Sequence, residues 1–152
     1  MSFKNRIRAA TIIIKDEKIL LVKHVHPIDK HEWWVPPGGG IEDSDKSSIE
    51  CAKRETFEET GYEVKIDNSL KFVREFFCIE NDTLNLELFF NAEITGGELT
   101  INNIQGNGPD EHYIKDVKWI NSSEIKKLDV FPEELKQNFG RNIKNIYLGR
   151  QS

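Results

Sequence analysis

Pro37-Gly38-Gly39-Gly40-Ile41-Glu42, followed after a polar loop by Arg54-Glu55-Thr56-Phe57-Glu58-Glu59-Thr60-Gly61-Tyr62, is the stretch that decides the fold. Its second half reads as the end of a helix. Ser47 is a candidate N-cap with Glu50 three residues on, and Gly61 follows Thr60 where the helix stops. At about 100° per residue, Glu55, Glu58 and Glu59 fall at i, i+3 and i+4 and share one face. Ser48, Cys51 and Ala52 lie on that side one to two turns earlier and bring no neutralising charge. Ile49, Thr56 and Thr60 form the adjacent face and are expected to pack against a sheet. Carboxylates at i, i+4 repel by a few tenths of a kcal/mol. Arg-Glu-x-x-Glu-Glu alone is commonly a solvated face. The glycines and prolines at fixed offsets around it argue for a site instead, since a broken local rule without gain to the fold marks function.

A divalent cation resolves the repulsion. Carboxylates clustered without thiolate or imidazole favour hard, oxygen-seeking ions such as Mg²⁺ or Mn²⁺ over zinc. Such an ion polarises a phosphoryl oxygen and supplies a hydroxide nucleophile. Gly38-Gly39-Gly40 lets the backbone come close to an ion or a phosphate. A P-loop is excluded, because no Gly-Lys-Ser/Thr follows the glycines, and the G-x-G-x-x-G form is absent.

The whole stretch resembles the signature of the Nudix hydrolases, G-x5-E-x7-R-E-U-x-E-E-x-G-U. Arg54 to Tyr62 matches its second half, with Thr56 as a weak apolar position, and Trp34-Val35-Pro36-Pro37-Gly38-Gly39 looks like the family's W-x-x-P-G-G lead-in. The first half departs. Counting back from Arg54 puts Lys46 at the signature's first Glu; counting forward from Gly39 puts Asp45 there, with one residue extra before Arg54. One added residue in the 42–46 loop accounts for both counts.

The resemblance implies an α/β fold, a Nudix-like α/β/α sandwich with a mixed β-sheet and one central catalytic helix. It implies hydrolysis of a nucleoside diphosphate linked to another group, by water attack on phosphorus with Mg²⁺ or Mn²⁺. Carried onto this sequence, Glu55, Glu58 and Glu59 become metal ligands, with the backbone carbonyl of Gly39 or Gly40 as a further one. Arg54 holds a glutamate in place, and Glu111, in the loop ahead of Val117-Lys118-Trp119, is a further candidate ligand or base. Trp34, Gly38 and Gly39 are the candidate substrate contacts. Family members are often homodimers.

Working outward, Arg8–Lys15 and Ile19–Val25 flank the polar turn Lys15-Asp16-Glu17-Lys18 and read as a β-hairpin. Pro27–Gly40 reads as irregular. Strands are expected at Leu70–Ile79, Leu84–Ile94 and Tyr113–Ile120, a short helix from Ser123, and a last helix over Pro132–Phe139 with Gly140 at its end. No repeat, linker or low-complexity tract divides the 152 residues, so a single domain over 1–152 is expected. With 38% hydrophobic residues, nine Phe and three Trp, disorder is excluded, and no apolar run approaches membrane-spanning length. Cys51 and Cys78 suit neither a disulfide scaffold nor a zinc site, and the apolar run after Arg8 is cut by Lys15-Asp16-Glu17-Lys18 before it becomes a signal sequence. A cytoplasmic protein is the expectation.

The net charge is −5, and the window Glu42–Glu63, with eight acids against three bases, carries all of it. No basic surplus marks a nucleic-acid binder, so a small-molecule nucleoside diphosphate derivative is the expected partner. ADP-ribose pyrophosphatases of the family carry a proline shortly after the signature, and dinucleoside-polyphosphate enzymes a tyrosine. Here no proline lies between Pro37 and Pro109 and no tyrosine between Tyr62 and Tyr113. Nucleoside triphosphates, including damaged ones, thus stand as candidates beside nucleotide sugars and dinucleotides. The alternative is a catalytically silent Nudix domain that senses a nucleotide or holds a partner. His24, His26, His31 and His112 read as ordinary surface, Trp33 and Trp34 as base-stacking groups or loop anchors, and Cys51 as structural.

Overall fold

The computed structural model describes residues 4–104 and 113–151. Its strands are β1 (Lys4–Ile12), β2 (Ile14–Lys15), β3 (Lys18–Val25), β4 (Glu32–Val35), β5 (Gly38–Gly40), β6 (Tyr62–Lys65), β7 (Leu70–Cys78), β8 (Thr83–Asn91), β9 (Glu93–Gly97), β10 (Ile114–Asn121) and β11 (Tyr147–Gln151). Among the described residues there are also two helices, α1 (Ser48–Thr60) and α2 (Ser122–Ile125), and the 3₁₀ segments Glu133–Lys136 and Asn138–Gly140. Five strands form a mixed sheet in the order β11-β7-β8-β1-β5, with β1 parallel to β8 and antiparallel to β5. A second sheet runs β10-β3-β2 with β4 on β3, and β6 pairs with β9.

The alternation of side chains along β1 builds the layers. Ala9 and Ile13 point to one side and pack with Cys51 and Ala52 of α1 and with Leu20 and Phe90. Ala10 and Ile12 point to the other and pack with Phe72, Phe89, Ile125, Leu135 and Phe139. A helix therefore covers one face, and α2 with the 3₁₀ segments covers the opposite one: the expected α/β/α arrangement around a mixed sheet. Small residues bring α1 close, and the Thr56 hydroxyl meets that of Thr11 at 2.7 Å.

Four expectations change. The hairpin over Arg8–Val25 is split, because the chain leaves one sheet at Ile13; only Ile14 and Lys15 pair with β3, while Lys4–Ile12 lies between β8 and β5. The segment Pro27–Gly40 is not wholly irregular. It holds β4 and β5, since neighbouring strands supply the hydrogen bonds that its glycines and prolines do not advertise. The run Leu84–Ile94 divides into β8 and β9, which pair with different partners. The last helix is two 3₁₀ segments, broken where Phe139 takes φ 54°, ψ 30°.

Candidate functional site

Helix α1 begins where its sequence says it should. The Ser47 hydroxyl accepts from the Glu50 amide at 3.1 Å, and the Glu50 carboxylate accepts from the Lys46 amide at 2.8 Å, one residue earlier than the usual reciprocal bond. It stops at Gly61, whose φ of 81° is left-handed and whose amide returns to the Phe57 carbonyl. Between these caps, α1 lays Glu55 and Glu59 at 7% and 5% exposure against the glycine strand, with Glu58 more open.

Strand β5 answers with its missing side chains. Gly39 pairs with Ala9 and faces the helix, where a Cβ would sit 2.5–2.7 Å from the Glu55 carboxyl atoms. Any other residue at 39 displaces that carboxylate. The Gly38 amide donates to Glu59 Oε1 at 3.0 Å, and the Gly39 carbonyl accepts from Cys51 Sγ at 3.6 Å. Burial, then the Asp45 and Glu55 charges, push the Cys51 thiol up to about 12, so the sulfur stays protonated.

Arg54 is the hub. Its Nε and Nη2 fork onto Asp45 Oδ1 and Oδ2 at 2.9 and 2.7 Å. Nη1 reaches Glu55 Oε1 at 3.0 Å and both Glu58 oxygens at 3.3 Å, and Nη2 also meets the Gly40 carbonyl at 3.3 Å. The bidentate bond from Arg54 holds the Asp45 carboxyl below its ordinary range, and Asp45 foremost pushes Arg54 further up. The two counts of the first half of the signature now separate. Asp45, with a side chain 4% exposed, occupies the Arg54 fork, while Lys46 is exposed.

One guanidinium thus meets three carboxylates, with Glu42 at 3.7 Å as a fourth. Among the described residues, no three His, Cys, Asp or Glu side chains converge as a ready-made metal cage. The donor set still fits a hard divalent ion: buried carboxylate oxygens, backbone carbonyls and a surplus of negative charge. Glu58, with 29% of its side chain exposed, is the most open of the three helix glutamates.

The sheet face away from α1 carries a second charged group that sequence reading missed. Arg8, Glu87 and Arg74 stand side by side on β1, β8 and β7. Glu87 accepts from Arg8 Nε at 3.1 Å and from Arg74 Nε and Nη2 at 2.9 Å. Burial pushes the Glu87 carboxyl up, and the two guanidiniums more than reverse it, leaving it below its ordinary range. From Arg74 Nη1 the chain of bonds continues to Gln151 Oε1 at 3.3 Å, and Gln151 Nε2 donates to both Glu134 oxygens at 3.1 Å. Gln151 and Glu134 line a cavity of about 800 Å³ together with Phe131, Glu133, Gln137 and Arg150. No local motif announces it, because its walls come from the 3₁₀ segments and from a last strand that composition alone does not mark.

The remaining candidates fall as follows. Trp34 lies in the core at 6% exposure, packed near Ile12 and Phe72 with the Lys23 ammonium 5.9 Å from its ring. It anchors the loop before β5, whereas Trp33 stacks between His24 at 5.3 Å and His31 at 5.9 Å. His24 is buried rather than on the surface. Glu111 and His112 lie outside the described residues. No helix of the described residues is long and apolar enough to cross a membrane.

Comparison with known proteins follows the geometry. The NUDIX domain model matches residues 5–139. A NUDIX hydrolase from Nitrosomonas europaea superposes with a TM-score of 0.66 at 25% identity, over 82% of this chain and 78% of that one. A MutT protein from Methanosarcina mazei gives 0.65 at 16% identity over 93% and 94%. An ADP-ribose pyrophosphatase from Streptococcus suis gives 0.59 at 18% over 95% and 97%. The last two likenesses concern the fold alone. Curated protein sequences contain no match. A domain match over most of the chain, and the Arg54-centred helix and glycine strand on which it falls, show that this protein belongs to the Nudix hydrolase family.

Proposed function

We propose that the protein hydrolyses the diphosphate linkage of a small nucleoside diphosphate derivative, with Mg²⁺ or Mn²⁺ held by Glu55, Glu58, Glu59 and the Gly39 carbonyl. The observation that carries this reading is the unequal pairing at Arg54, where one cation is shared among Asp45, Glu55 and Glu58. A bound Mg²⁺ or Mn²⁺ supplies neutralisation of the diphosphate and acidification of water. The chain's own residues do the rest. Arg54 sets the Glu55 and Glu58 carboxylates, the Gly38 amide sets Glu59, and Asp45 keeps Arg54 from swinging away. One of Glu55, Glu58, Glu59 or Glu111 takes the proton from the attacking water.

The 800 Å³ cavity is large enough for the organic group of the substrate, and its polar lining suits a nucleoside or sugar. Occupation of the Arg54 fork by Asp45 speaks against the catalytically silent alternative, since the one departure from the signature leaves the glutamates positioned. The test is phosphate release with Mg²⁺ and with Mn²⁺ across nucleoside triphosphates, nucleotide sugars and dinucleotides. Metal-dependent turnover of at least one class is expected. No turnover on any class, with the protein folded, overturns the reading.

A further inference from the structure

The hairpin that joins β2 to β3 places two ammonium groups side by side. Lys15 and Lys18 are directly opposite one another in its register, so their Cβ atoms stand roughly 5 Å apart on one face. Like charges in that relation destabilise a sheet. The turn between them brings no relief: Glu17 pairs with Arg141 at 3.4 Å, and among the described residues neither lysine forms an ion pair. Asp16 and Glu17 both take left-handed backbone, at φ 53° and 59°, without the glycine that such a turn prefers. The face the lysines share is turned to α1, because Leu20, two residues beyond Lys18, packs with Cys51 and Ala52. Trp119, opposite Leu20 on β10, is on that face too, and its ring lies 6.2 Å from that of Tyr62 at an angle of 54°. Both rings are half-buried against the core cluster of Ile13 and Leu20. Lys15, Asp16, Lys18, Tyr62 and Trp119 line a cavity of about 210 Å³, to which neither the helix glutamates nor the glycines of β5 contribute.

We propose that this cavity is a second, non-catalytic binding site for a nucleoside monophosphate, with the base against Trp119 and Tyr62 and the phosphate between Lys15 and Lys18. Two facing ammoniums match a phosphate monoester, with its charge of about −1.5 to −2 at neutral pH, better than they match a single carboxylate. A dianion between them converts their repulsion into two attractions. The half-buried rings offer an apolar wall on which a base stacks, and such stacking tolerates every base because each has a π-face. Asp16, on the same lining, is placed to accept from a sugar hydroxyl or an exocyclic amine. With about a quarter of the volume of the 800 Å³ cavity, the pocket suits one base and its phosphate and is too small for a second nucleoside. The site is independent of the proposed hydrolysis, since it uses none of the residues that position the diphosphate.

The experiment is titration of the isotope-labelled whole chain with AMP, GMP, CMP and UMP in EDTA, with amide and indole shifts followed by NMR and affinity by calorimetry. For at least one of the four, shifts are expected at Lys15–Lys18, Tyr62 and the Trp119 indole, with a Kd of about 1 mM or below. Lys15→Gln combined with Lys18→Gln is expected to weaken binding about tenfold, and Trp119→Leu about fivefold or more. Glu58→Gln is expected to change it less than about twofold, which separates this site from the helix carboxylates. Ribose phosphate, the same dianion without a base, is expected to bind about tenfold more weakly than the nucleotide. Shifts that are absent from these residues with all four nucleotides, or confined to Gly38–Gly40 and α1, overturn the proposal. So does affinity within twofold of the unaltered protein in the lysine double variant. Equal binding of ribose phosphate overturns it as well, since the pocket then holds an anion without recognising a ring. If Trp119→Leu does not fold, the lysine variant and ribose phosphate decide by the same criteria.

Discussion

Two of the places where guanidinium groups meet carboxylates in the described residues stand in contrast. On the helix side Arg54 meets Asp45, Glu55 and Glu58. On the far side of the sheet Glu87 meets both Arg8 and Arg74. The first arrangement asks for positive charge from outside and is built on an amphipathic helix beside a backbone with no side chains. The second lies on a covered sheet face, its acid 4% exposed and its Arg74 guanidinium 4.6 Å from the Phe76 ring. The same two functional groups thus leave a surplus of carboxylates on the helix side and share one buried carboxylate between two guanidiniums on the other.

Substitutions break the comparison at defined points. Glu59→Gln keeps an oxygen for the Gly38 amide and removes only the charge, so the fold should persist while turnover falls by about 100-fold or more in steady-state assays. Glu87→Ala should act the other way. It removes the carboxylate that two largely buried guanidiniums share, at a cost of about 3–5 kcal/mol in urea unfolding, as expected when one member of a buried charged group is removed. Asp45→Asn lies between these cases. It weakens the Arg54 fork, with an expected loss of about 1–3 kcal/mol of stability and reduced turnover, while Lys46→Glu should change neither measurably.

Acid sharpens the same contrast. The Asp45 and Glu87 carboxyls are both held below their ordinary values in the folded protein. The stability they contribute is therefore present above the unfolded-state values of about 4 and is lost as pH falls through the lower folded values. Urea midpoints should be level from neutral pH to about 5 and then drop, and Glu87→Gln should flatten part of that drop. The smallest effect is at the thiols. Cys51, buried and raised to about 12, should resist iodoacetamide at pH 8 in the native protein, while the half-buried Cys78 reacts first.

The two regions also differ in how far the sequence discloses them. Helix α1 was legible because its signals are local: a cap at Ser47, a stop at Gly61 and three acids on one face. The glycine strand was half legible. Its residues pointed to close approach, but three glycines after two prolines read as loop, and only pairing with Arg8, Ala9 and Ala10 makes them a strand. Asp45 against Lys46 was undecidable by counting, because a loop can absorb one residue without moving its ends. The Arg8–Glu87–Arg74 group was invisible, since it exists only once β1 lies between β5 and β8. Strand order is a property of the whole chain, and no window of sequence contains it.

That position of β1 has a consequence for how the chain comes to be folded. Strand β1 finds its parallel partner only in Thr83–Asn91, and Arg8 meets Glu87 across 79 residues of sequence. Pairing so distant pays its loop-closure entropy before any contact rewards it, and during synthesis it waits for more than half of the chain. Until then β1 has only the short antiparallel strand β5 to pair with. The basic residues of β1, Lys4, Arg6 and Arg8, are well placed to keep its waiting edge from associating with its neighbours.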